Sequence, residues 1–153
     1  MLLKICLIMA LFTFNSCGDD AAQQPAEHET PSTAGHFTTA STIRDVLSHP
    51  AFDGFSQYIL PLEWGYDESM QLSGVSRLLP YHNYVDAGRC VGYINQMVDS
   101  VAAGRRIYYD LGREDAGLFF FRGRPGAPFA VVCPGGDFSY VGSIHEGFPH
   151  ALP

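Results

Sequence analysis

Positive charge is scarce in this chain. Nine lysines and arginines stand against sixteen acidic residues, for a net charge of −7. A nucleic-acid partner demands a basic face for its phosphates, so that class is excluded. Cysteine is also scarce. There are four in 153 residues and no Cys-x-x-Cys pair, so a structural zinc site has no support. The apolar run at residues 5–14 is about half the length that a bilayer-spanning helix needs. No internal repeat is visible. What is present is enough to fold: 46% of the residues are hydrophobic, and the length suits one domain.

The short apolar run has a specific setting. Lys4 precedes it, and it ends in Phe14-Asn15-Ser16-Cys17. A small residue before cysteine, after an apolar core, resembles a bacterial lipoprotein signal. The resemblance implies cleavage before Cys17 and acylation of its thiol. More than one acyl chain gives stable membrane anchoring, which a single chain does not. The plainer reading is an ordinary secretory signal with an unmodified cysteine. Residues 1–16 are therefore expected to be a signal peptide. Residues 17–40, rich in Ala, Gln, Pro, Glu, Thr and Ser, are expected to be a tether. Cys90 on a predicted helix and Cys133 on a predicted strand are expected to be buried free thiols.

Residues 41–104 read as a helical extension. Thr42 with Asp45 fits a capping box ahead of Ile43, Val46 and Leu47. Pro50 ends or restarts that helix, and Phe52, Phe55 and Ile59 follow at spacings of three and four. Leu72, Val75, Leu78 and Leu79 form another short face, closed by Pro80. Asp86 is the predicted N-cap of the longest helix, over about 87–103, with Gly104 just past its end. Residues 107–111 and 118–121 then read as two strands of a hairpin, and 129–133 as a third.

The third strand runs into Pro134-Gly135-Gly136-Asp137, followed by Phe-Ser-Tyr-Val-Gly-Ser-Ile-His145-Glu146-Gly-Phe. This stretch resembles the α/β-hydrolase superfamily, in the esterase-like branch whose oxyanion strand ends in Pro-Gly-Gly-Gly. The likeness is specific over residues 107–148 and weaker over 42–106. It implies an α/β fold of which this chain holds the N-terminal part: the helical extension, three strands and the start of a helix near His145. Backbone amides of Gly135, Gly136 and Asp137 would form the oxyanion hole. Asp137 stands where the family has a third glycine. A carboxylate there repels an oxyanion unless its side chain points away.

The rest of the machinery is missing. The nucleophile elbow Gly-x-Ser-x-Gly does not occur, because Gly54-Phe-Ser56 and Gly74-Val-Ser76 lack the second glycine. Ser139 and Ser143 follow the oxyanion loop without a defined base. His145 and His150 are five apart with Pro149 between them. The helical zinc motif needs a spacing of four, so neither metal nor cofactor is expected. Two functions fit these residues. One is a serine hydrolase for carboxylic esters, with acyl groups on carbohydrate as one candidate substrate, cut before its nucleophile and inactive as it stands. The other is a non-catalytic envelope lipoprotein. The expected partners are a membrane, through the lipid on Cys17, and a small ester.

Overall fold

The computed structural model describes residues 35–61, 67–78, 85–113, 116–136 and 140–152. The predicted signal, Cys17, Leu79, Pro80, Asp137 and Ser139 lie outside the described residues.

The chain enters its first helix, α1 (Ile43–Leu47), through the expected capping box. Thr42 Oγ1 accepts from the Asp45 N–H at 3.2 Å, and Asp45 Oδ2 accepts from the Thr42 N–H at 2.7 Å. The first helical amides have no partner within the helix. Here Ile43 donates to the Met70 carbonyl at 3.0 Å, and Arg44 to that of Glu68 at 2.9 Å.

Beyond α1 the expected helix through Ile59 is two 3₁₀ turns, Pro50–Phe52 and Ser56–Tyr58. Gly54, at φ +81°, breaks the run between them. Leu72–Leu78 is likewise a 3₁₀ helix, burying Leu72, Val75 and Leu78. That spacing of three matches three residues per turn.

The long helix α2 (Ala87–Ala102) forms as expected, and Asp86 caps it by accepting from the Arg89 N–H at 2.9 Å. Its other end is a Schellman closure. Gly104, at φ +73°, donates to Val101 at 2.8 Å, and Arg105 donates to Ser100 at 2.9 Å.

The hairpin also forms. β1 (Tyr108–Arg113) pairs antiparallel with β2 (Ala116–Phe119), in a register that sets Tyr108 opposite Phe119 and Tyr109 opposite Leu118. Side chains alternate between faces along β2 and just beyond it. Phe119 and Phe121 turn inward, while Leu118 and Phe120 are exposed. The inward face is aromatic. Tyr108 stacks on Phe55 at 4.9 Å, and Phe119 meets Phe148 edge-on at 5.0 Å.

The third expected strand joins no ladder. Residues 129–133 carry neither helix nor strand, and β1 and β2 make a two-stranded sheet by themselves. A strand needs a neighbouring edge to pair with, and none of the described residues brings one to this segment. Cys133 is consequently exposed rather than buried, whereas Cys90 is a buried free thiol as expected.

One hydrophobic cluster draws on the whole span. Phe37, Ile43, Phe52, Leu72, Ile94 and Met97 join Ile107, Ile144 and Phe148 in it. The packed chain starts earlier than residue 41. Phe37 is in the core, and its N–H and C=O both bond the Asn95 side-chain amide, at 2.8 and 3.0 Å. His36, placed in the tether by composition, pairs with Asp99 at 2.7 Å.

Candidate functional site

Two of the three predicted oxyanion residues, Gly135 and Gly136, lie in a turn that folds back on itself. The Gly142 N–H donates to the Gly135 carbonyl at 2.9 Å, and the Tyr140 N–H donates to the Gly136 carbonyl at 3.3 Å. Gly136 sits at φ +143°, where a side chain is strained, and a Cβ there would collide with the Tyr140 carbonyl oxygen. The turn therefore requires glycine at this point. Asp137, the third predicted donor, is outside the described residues.

The Gly135 amide already has an acceptor. It donates to Glu146 Oε2 at 2.5 Å, a short charge-assisted bond. Glu146 comes from the helical turn Ser143–Gly147, which leads straight into α3 (Phe148–Ala151). The predicted helix start near His145 therefore falls inside this turn. A Cβ on Gly135 would come within 2.7 Å of the same carboxylate oxygen, so only a glycine lets the carboxylate approach this closely.

His145 lies beside the carboxylate. Its Nε2 is 3.7 Å from Glu146 Oε1, its side chain is only 3% exposed, and its ring stacks on Tyr140 at 6.4 Å. His150 is exposed on α3, so the two histidines occupy opposite environments. Ser143 is buried at the start of the turn, and its N–H donates to the Val141 carbonyl at 2.8 Å. Gly54 lies in a turn and Ser56 and Ser76 in 3₁₀ helices, so neither serine stands at a strand-to-helix elbow.

Chemically, the arrangement is one backbone donor aimed at an oxyanion, with that oxyanion supplied by the chain itself. A carboxylate oxygen carries a negative charge like the one that develops on an ester carbonyl during acyl transfer. The Gly135 amide thus meets in Glu146 the kind of charge that an oxyanion hole stabilises. Glu146 stands in the first turn of Ser143–Gly147, yet its carboxylate reaches back to the Gly135 amide. The signal for its contact was the run of glycines at 135, 136 and 142. It lets a residue eleven positions away fold back onto the Gly135 amide. No family model, no curated protein and no solved structure matches this chain.

Proposed function

We propose that this chain is a cell-envelope lipoprotein, anchored through Cys17. Its folded part carries an oxyanion turn of the α/β-hydrolase kind that does not hydrolyse esters by itself. The anchor is supported by the apolar run that ends in Ser16-Cys17, and the inactive turn by the Gly135 amide held by the Glu146 carboxylate. Ester hydrolysis through such a turn needs the donor free for substrate and a nucleophile beside the carbonyl. Here the donor has an internal acceptor. Ser143, the described serine nearest the turn in sequence, is buried. The activity of this type of turn would be carboxylic-ester hydrolysis on a small ester, but these residues lack the serine elbow that would begin it.

Two measurements on the full chain test the reading. Cells grown with labelled palmitate should label the protein, and Cys17→Ala should abolish the label. The purified chain should neither turn over short aryl esters above the rate in buffer nor take up a serine-directed fluorophosphonate. Label retained in Cys17→Ala rejects the anchor. Stoichiometric fluorophosphonate uptake rejects the inactive turn.

A further inference from the structure

The hairpin leaves a feature that the glycine turn does not use. β2 pairs only with β1 among the described residues, so its other edge carries unpaired backbone groups. Residues 129–133 make no backbone hydrogen bond among the described residues. Their side chains favour strands and are bare, with Phe129 87% exposed and Val131 73% exposed. Both segments line one groove of about 740 Å³, floored in part by Phe119, Phe121 and Phe148.

The groove has a charge as well as a shape. Arg122 and Arg124 line it, and no carboxylate pairs with either among the described residues. Residues 116–136 contain no acidic side chain. On a chain of net charge −7, this is a locally positive, apolar surface.

These features discriminate between occupants. A lipid chain would cover the apolar walls but leave the backbone groups of both segments without partners. A second copy aligned on the same groove would bring its own two arginines against these two. An added strand supplies backbone partners, fills the apolar wall with alternate side chains and can place carboxylates beside the arginines. We propose that this groove binds an extended peptide segment of another protein by β-strand addition, apolar at alternate positions and acidic at its flanks. The proposal stands apart from the ester-hydrolase reading, since it uses neither Gly135 nor Glu146.

The test uses the full-length chain in phosphatidylcholine nanodiscs, panned against displayed random peptides of about ten residues, long enough for one strand. Enriched peptides should alternate apolar residues and carry Asp or Glu at their ends. A synthetic copy of one should slow amide exchange at residues 130–132 about tenfold or more and lose affinity as salt is raised. Val131→Pro should abolish its binding, and the Arg122→Gln/Arg124→Gln pair should weaken it several-fold. Phe129→Ser, at an exposed position, should weaken it with the fold intact. No enrichment overturns the proposal, as do enriched peptides without alternation or binding that leaves exchange unchanged. Protection of residues 130–132 without peptide also overturns it: if concentration-dependent, the occupant is a second copy, and if present only in nanodiscs, it is lipid.

Discussion

Cys90 and Cys133 carry the same thiol into opposite surroundings. Cys90 is buried on α2, and that burial, with the nearby Asp86 charge, pushes its pKa up to about 11. Cys133 is exposed. Only the thiolate reacts with alkylating reagents. Iodoacetamide at neutral pH should therefore modify Cys133 in the native chain and leave Cys90 untouched until denaturant is added, as peptide mass spectrometry will show. The raised value also has a direction for stability. The folded state favours the neutral thiol, so this contribution is complete below the ordinary value of 9.0 and is lost as pH rises through about 11. Equal modification of both cysteines in the native state would contradict the packing around α2.

Among the elements, α2 was the most legible from sequence and the groove-lining segment the least. The helix announces itself locally, through a capping aspartate, a one-sided apolar pattern and a closing glycine. All three act within it. Replacing Asp86 with Ala removes the acceptor for the Arg89 amide and should cost about 1 kcal/mol in a denaturant melt. A change near zero would mean that solvent caps the helix equally well. The capping box at Thr42 and the hairpin were readable for the same reason, since capping residues and strand alternation act over a few positions. Spacings of three at Leu72, Val75 and Leu78 fit an α-helix or a 3₁₀ helix, so the pattern fixed the buried face but not the pitch. Residues 129–133 have strand chemistry, yet strand pairing is a non-local event that composition cannot supply. The Glu146 contact was hidden in the same way. It joins residues eleven apart across a glycine loop, and only the folded turn reveals it.

At the scale of the whole molecule, the core crosses the boundary drawn at residue 104. Ile94 and Met97 from α2 share one cluster with Ile107, Ile144 and Phe148. The helical extension and the hairpin should therefore unfold together. Ile94→Ala should lower stability by about 3 kcal/mol, moving the far-UV signal of the helices and the near-UV signal of the hairpin aromatics by the same amount. Two separated transitions would show that the extension is an independent unit. The proposed function rests on a smaller contact within this core-bound frame, the Glu146 carboxylate held on the Gly135 amide. The amide proton of Gly135 in the ¹⁵N-labelled full-length chain tests it most directly. The account predicts a resonance far downfield, as for an amide in a short bond to a carboxylate, that moves strongly upfield in Glu146→Gln while resonances of α2 stay in place. A Gly135 resonance at an ordinary glycine position, unmoved by Glu146→Gln, would contradict the account: the donor would be free for an external oxyanion.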